Sequence, residues 1–319
     1  MNPEHPKRMK VVVAFALLYL FWGSTYLAIR IAVAEILPAL MTGARFAAAG
    51  LMMLTWCRLT GRPIAVTREQ AVRLAVVGWL LLSIGNTVLC WAEQWVPSGL
   101  AALMVAITPM WFLLLETWVF PAGYRISRRA VTGLIFGVIG IVILLWPELL
   151  HATSLGRREL FGCLSLLGGS LSWAFGSLAA KRWRLPVDPL AAAGYQMLFA
   201  GLINGGAGLA LGEWARSIWS WRSTGAVIYL VIFGSLVGYG SYIWLLNHVS
   251  TTKVSTYAYV NPMVAVVLGW LLLQERITGY ILAGSVVIVA AVALITGAKP
   301  WRVSRETELV ITAAEGPGG

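Results

Sequence analysis

The feature that most constrains this chain is a succession of apolar runs, each long enough to cross a lipid bilayer. About 20 apolar residues in a helix span a hydrocarbon core of about 30 Å. Charged, Pro-rich and Gly-rich punctuation divides the sequence into ten such runs: 11–30, 37–57, 71–93, 98–118, 128–146, 160–180, 189–211, 224–246, 252–273 and 278–297. In hydrocarbon the backbone must satisfy its own hydrogen bonds, which makes runs of this length helices. The predicted fold class is an all-α polytopic membrane protein with ten transmembrane helices. Composition agrees, with 59% hydrophobic and 12% charged residues, where soluble domains carry roughly a quarter charged. Connections are short, and no soluble domain is inserted. Residues 1–10 are basic and lead into an apolar run too long for a signal peptide, with no small-residue cleavage site. That run reads as a retained helix. Residues 298–319 read as a disordered tail.

The net charge of +11 would point to nucleic acid in a soluble protein; here topology accounts for it, and no nucleic-acid partner is expected. One set of loops and ends carries 17 Lys and Arg residues: Lys7, Arg8, Lys10, Arg58, Arg62, Arg68, Arg73, Arg125, Arg128, Arg129, Lys181, Arg182, Arg184, Lys253, Lys299, Arg302 and Arg305. The opposite set carries six: Arg30, Arg157, Arg158, Arg216, Arg222 and Arg276. The positive-inside rule then puts both termini in the cytoplasm.

An internal repeat divides the ten runs in two. "AITPMW" at 106–111 lies 153 residues before "YVNPMV" at 259–264, aligning Pro109 with Pro262. The same offset aligns Gly85 with Gly238, Trp91 with Trp244 and the Gly-Ser pairs at 23–24 and 176–177. An offset of 151 aligns Pro38 with Pro189, Gly43 with Gly194, Gly50 with Gly201 and Gly133 with Gly284. The expected domains are repeats over 11–146 and 160–297, joined by a periplasmic connection over 147–159. Five helices per repeat is an odd number, so the second repeat enters the membrane from the opposite side. Inverted repeats characterise alternating-access transporters, whose sites lie near the midplane where matching helices are broken. Pro109 and Pro262 are candidate hinges, with a simple packing kink as the alternative reading.

Polar residues at helical spacing mark a candidate lumen. Trp79, Ser83, Asn86, Cys90 and Glu93 recur at spacings of 4, 3, 4 and 3, which places them on one helical face. In the eighth run Ser235, Tyr239 and Tyr242 share a face, in the first Trp22, Thr25 and Tyr26, and in the sixth Trp173, Gly176 and Ser177. Such aromatic and hydroxyl linings suit flat amphipathic molecules. Trp22 and Trp173 read either as lumen or as packing, and Trp56, Trp95, Trp219, Trp221 and Trp301 as interfacial belts. Arg45 is the one cation inside a run, and its repeat partner Gln196 is also polar. Arg45 reads as a substrate contact or an inter-helix brace, with snorkelling as a further alternative. Pairing with Glu93 is expected as a hypothesis. Glu116 and Glu275 end repeat-related helices and read as structural. No carboxylate stands at mid-membrane to relay protons. The glycines at 133, 137, 140, 201 and 205 permit close helix approach.

Catalytic chemistry is not legible. His5, His151 and His248 are scattered, Cys57, Cys90 and Cys163 lack metal spacing, and no acidic motif accompanies them. No cofactor or metal is expected; a channel and, with less support, an integral membrane lipid-modifying enzyme are the alternatives, and a structural or assembly role has the least support because it gives no reason for a polar interior.

The stretches "LFWGSTYLAIRIAV", "GARFAAAG", "EQWVPSGLAALMVAITPMW", "SLSWAFGS" and "TYAYVNPMVAVVLG" followed by "ERIT" resemble the drug/metabolite transporter superfamily. The resemblance is to its ten-helix EamA family, within it the YedA-like exporters of bacterial inner membranes, and it covers about residues 11–297. It implies two inverted five-helix repeats around a cavity lined by spans 1, 3, 4, 6, 8 and 9. Carried over by position, the cavity would use Trp22, Tyr26, Asn86, Pro109, Trp173, Tyr239, Tyr257, Asn261 and Pro262. The fifth and tenth helices would serve packing or contacts in a homodimer. Export of small amphipathic metabolites, amino acids or drugs would follow, from a multi-pass inner-membrane location. The superfamily's four-helix members use a carboxylate in their first span, which this sequence lacks.

Overall fold

The computed structural model describes residues 8–96, 101, 104–119, 124–125, 127–144, 146, 150, 157–273, 279–297 and 301–302. Ten main helices follow the apolar runs: α1 (Arg8–Val33), α2 (Pro38–Leu59), α3 (Arg68–Ala92), α4 (Thr108–Trp118), α5 (Arg128–Leu144), α6 (Arg157–Trp183), α7 (Pro189–Ala210), α8 (Trp221–His248), α9 (Tyr257–Leu273) and α10 (Gly279–Gly297). Among the described residues, α1, α2, α3, α6 and α8 are long and apolar enough to cross a membrane, and α10 carries a shorter apolar stretch, Leu282–Ile295. The expected tail beyond residue 302, most of the connection over 147–159, and Glu275 lie outside the described residues.

Local chemistry starts these helices. Thr67 and Gln70 form a reciprocal capping box on α3, satisfying two otherwise orphaned amides. Asp188 caps α7 through the Leu190 and Ala191 amides, and proline fills the first helical position of α2 and α7, where no amide is needed. The N-terminus of α2 borrows its cap from elsewhere: the Leu40 amide donates to Glu213 Oε2 at 2.7 Å and the Leu37 amide to Ser217 Oγ at 2.9 Å. The carboxylate there also meets the positive end of the helix dipole.

Helix pairing carries the repeat into three dimensions. Helix α2 packs along α7, and α5 along α10. Helix α1 packs on α8 and α9, while α6 packs on α3 and α4; α2 meets α8, as α7 meets α3. Advancing every helix by five, cyclically, turns each of these contacts into another one in the set. That is a two-fold relation between the halves, with α2–α7 and α5–α10 as the self-paired contacts. A short ladder pairs Tyr124 with Arg302 and Arg125 with Trp301, tying the segment after α10 to the α4–α5 connection.

The self-paired α2–α7 contact needs backbones in touch. A Cβ on Gly201 would stand 2.2 Å from the Ala47 nitrogen, and one on Gly43 would stand 2.5 Å from Gly205. Small residues permit this approach where no hydrophobic force drives helices together in lipid.

Two features depart from the sequence expectation. Helix α3 is π-helical over Trp79–Asn86 and α8 over Leu230–Tyr239, stretches that overlap at the 153-residue offset. Hydrogen bonds to i+5 widen the turn and shift the facing of every later residue. The Thr87 hydroxyl, donating to the Leu82 carbonyl at 3.0 Å, reinforces that register. The expected stripe therefore breaks at its start: Trp79 is 46% exposed on the outer surface, whereas Asn86 and Cys90 turn inward.

The two prolines also differ. Pro262 stands inside α9, but Pro109 occupies the first turn of α4 after a turn at Ala106–Ile107. The expected matched mid-helix pair is thus asymmetric, because a proline in a first turn removes no helical hydrogen bond. The Thr108 hydroxyl donates to the Val105 carbonyl at 2.5 Å, the group that a residue 109 amide would have served in an unbroken helix.

Candidate functional site

A cavity opens between the halves. Its walls come from α1, α2, α3, α6, α8, the start of α9, and Val105 and Thr108 at the entry to α4. On α1, α2 and α3 the lining residues fall in the half nearer the α1–α2 connection, as do Leu166 and Gly169 of α6, with Trp173 just past the middle of that helix. Toward the end where α1 begins, aromatic rings close the space. Trp22 lies 5.5 Å from Trp173, 4.9 Å from Tyr257 and 5.1 Å from Tyr242, centroid to centroid. Edge-to-face and tilted contacts of this kind add to simple burial. Below them Trp173 Nε1 donates to the Tyr242 hydroxyl at 2.9 Å, which shares a 2.6 Å bond with Ser177. The Tyr19 and Thr256 hydroxyls join α1 to the turn before α9 at 2.5 Å.

The two tryptophans are repeat mates, 151 residues apart, and each is seated on a glycine of the other half. A Cβ on Gly238 would come 2.4 Å from Trp22 Nε1, and one on Gly85 would come 3.0 Å from Trp173 Cε3. Those glycines are themselves repeat mates. Trp22 Nε1 donates to the Gly234 carbonyl at 2.9 Å, a carbonyl within the π-helical stretch of α8. Both tryptophans thus pack and line at once, so the two sequence readings are not exclusive.

Arg45 is buried in the wall, 3% exposed. Its Nε donates to Ser235 Oγ at 2.9 Å and its Nη1 to Asn86 Oδ1 at 3.4 Å. The expected ion pair with Glu93 does not form: among the described residues the ion pairs are Arg62–Asp188 and Arg73–Glu69. Glu93 lies beyond the last cavity-lining turn of α3, buried, with both carboxylate oxygens lacking a hydrogen-bond partner among the described residues. The seven residues from Asn86 to Glu93 put two helical turns between them, so the arginine is served by the nearer amide.

Gln196, the repeat mate of Arg45, is also displaced from the expected place. Its Oε1 accepts from the Tyr239 hydroxyl at 2.7 Å, and it lines a second cavity of about 480 Å³ between α3, α6, α7 and α8. Tyr239 lines the main cavity, so this one hydrogen bond stands between the two spaces.

Of the residues singled out from the sequence, Trp22, Tyr26, Arg45, Asn86, Trp173, Tyr239, Tyr257 and Asn261 meet around one cavity; Glu93, Gln196, Pro109 and Pro262 are outside its lining. Asn261 is buried, and its Oδ1 has no partner among the described residues. Sequence reasoning gave no role to Phe46 or Ser170 in the lining. It placed Ser235 and Tyr242 on a polar face but did not select them; periodicity had marked both. Among the described residues no three His, Cys, Asp or Glu side chains gather into a metal-binding group.

Comparison with known proteins places these features in context. A model described as the EamA-like transporter family matches residues 9–146 and again 160–297. The uncharacterised inner membrane transporter YedA of Escherichia coli (strain K12) is 38% identical over 280 residues, covering 88% of each chain. The uncharacterised transporter YoaV of Bacillus subtilis is 20% identical, over 90% of this chain and 97% of its own. A solved crystal structure, 19% identical, superposes with a TM-score of 0.74 over 91% of this chain and 97% of that one, a likeness of fold.

Proposed function

The chain belongs to the EamA-like transporter family, and we propose that it exports small amphipathic molecules from the cytoplasm by alternating access. The transporter class follows from the family; the direction, the substrate range and the mechanism are our reading. The observation that carries it is the cavity between two inverted halves, closed at one end by side chains that both halves contribute. A pore needs a continuous path, whereas a rocking carrier needs a site with one end shut at a time.

The positive-inside count orients the molecule with both termini in the cytoplasm of an inner-membrane location. The cavity then faces the periplasmic half, and the Trp22–Trp173–Tyr242–Tyr257 cluster is the cytoplasmic gate. The inward-open state separates that cluster and closes the periplasmic side, with bending concentrated at Pro262 and at the turn before Pro109. The glycine-bound α2–α7 contact is the fixed axis. Exposed apolar faces on α5 and α10, including Ile135, Phe136, Val286 and Val289, meet lipid or a second copy.

Uptake into proteoliposomes of amino acids, nucleobases and amphipathic organic ions, with and without a pH gradient, tests this. Saturable, counterflow-stimulated transport is the expected result. Steady ion conductance without counterflow would overturn alternating access in favour of a channel.

A further inference from the structure

We propose that the cavity selects organic anions, holding a carboxylate on Arg45 and a neighbouring donor group of the same molecule on Asn261. The proposal rests on the transporter reading and narrows its substrate class.

Charge comes first. Of the described residues lining the cavity, Arg45 alone carries a charge, and no carboxylate lies among them. It takes part in none of the ion pairs among the described residues, and its hydrogen-bond partners Ser235 and Asn86 are neutral. A guanidinium offers five N–H donors, and the two bonds to those side chains leave Nη2 without a hydrogen bond among the described residues. That nitrogen lies at Gly234, where an added Cβ would be 2.8 Å away. A cation buried in this way gains from any anion that reaches it, and the low local dielectric amplifies both that gain and the repulsion of a second cation. The two parallel donors of a guanidinium match a carboxylate edge.

Asn261 supplies the second observation. Asn261 lines the cavity, and its buried Oδ1 lacks a donor among the described residues. A buried acceptor left unmade is costly, and the missing partner is an N–H or O–H, which an incoming molecule can carry. The same cavity is lined by Trp22, Trp173 and Tyr257, rings suited to a flat apolar body.

The test measures binding of four probes with one aromatic body to the purified full-length chain in nanodiscs, by tryptophan fluorescence and calorimetry. The probes are 3-phenyllactate, 3-phenylpropionate, 3-phenylpropanamide and phenethyltrimethylammonium. The expected order of affinity is phenyllactate, phenylpropionate, the amide, then the cation, with tenfold or more between anion and cation. Arg45→Gln should remove that anion preference while leaving the amide unchanged, and Arg45→Lys should retain its sign. Asn261→Ala should abolish the advantage of phenyllactate over phenylpropionate without weakening the latter. If Arg45→Gln fails to fold, the Arg45→Lys and Asn261→Ala results decide. Equal or tighter cation binding, an anion preference that survives Arg45→Gln, or no binding of any probe overturns the proposal. The same probes in proteoliposomes separate the two readings. Anion binding without transport defeats the transporter reading alone; cation transport without anion binding defeats this proposal alone.

Discussion

Arg45 with Asn86 and Gln196 with Tyr239 occupy equivalent places in the two halves of the molecule. In each, a polar residue of the self-paired helix reaches a side chain of the next helix, at 3.4 Å in the first half and 2.7 Å in the second. The first pair is charged, loosely bonded and open to the main cavity; the second is neutral and short, with Tyr239 at the main cavity and Gln196 at the smaller one. The backbone scaffold is shared, down to matching π-helical stretches and tryptophans seated on glycines. The difference lies in which half offers unspent hydrogen-bonding capacity.

The largest effect should come from filling the two glycine seats. Gly238→Ala drives a methyl against a Trp22 indole that is pinned by its bond to Gly234. Overpacking of this sort costs about 3 kcal/mol. Gly85→Ala meets Trp173 at a looser 3.0 Å and should cost about 1 kcal/mol. Unfolding in mixed micelles measures both. Equal losses would show that the halves tolerate volume alike and that the seats differ only in appearance.

Next come the polar pairs. Tyr239→Phe leaves Gln196 Oε1 buried without its donor, at a cost of about 2 kcal/mol. Asn86→Ala should cost less than about 1 kcal/mol, because Arg45 keeps Ser235 and the lost bond is long. A larger loss for Asn86→Ala would reverse the assignment of the tight and the loose half.

Much of this was legible beforehand. The helices follow from apolar run length, and the pairing of the halves from prolines and glycines at two fixed offsets. Asn86, Tyr239 and Trp173 reached the cavity because polar and aromatic residues inside a span seldom face lipid. What escaped was tertiary. A π-helical register is not written in side-chain type, so Trp79 was placed inward although it faces out. The partners of Arg45 are Asn86 and, 190 residues away, Ser235, and charge alone suggested Glu93 instead. The likeness of "TPMW" and "NPMV" concealed that α4 begins at Thr108 while α9 runs through its proline.

That last difference makes a milder test. Pro109→Ala should change stability by less than about 0.5 kcal/mol, as expected for a first-turn proline. Pro262→Ala gives the Ala258 carbonyl an amide partner and should stabilise α9 by about 1 kcal/mol, while slowing counterflow if bending there is needed. Faster or unchanged counterflow in Pro262→Ala would remove α9 from the hinge.

The smallest effects belong to the two ends of the bundle, where the halves again differ by one charge. Glu35, in the α1–α2 connection, accepts a short hydrogen bond from Ser220 at the start of α8. Its mate at the 153-residue offset, Asp188, in the α6–α7 connection, pairs with Arg62 ahead of α3 at 2.9 Å. Both tie a connection of one half to the entry of a helix in the other, but one partner is a neutral dipole and the other an exposed cation. The Ser220 bond, then Ser223, holds the Glu35 carboxyl below the usual carboxylate range. A group with a depressed folded pKa binds fewer protons folded than unfolded. Its contribution is therefore complete above the usual range and is lost as pH falls through the depressed value. Glu35→Gln should flatten that acid limb, with a small effect on the response to salt through the nearby Arg222. Arg62→Ala should reduce stability by less than about 1 kcal/mol and remove more of the loss seen on adding salt, because that latch is a direct ion pair open to screening. Thermal unfolding over pH 3–6 and across added salt would read both, and identical profiles for the two variants would mean that the ends, unlike the cavity, are chemically equivalent.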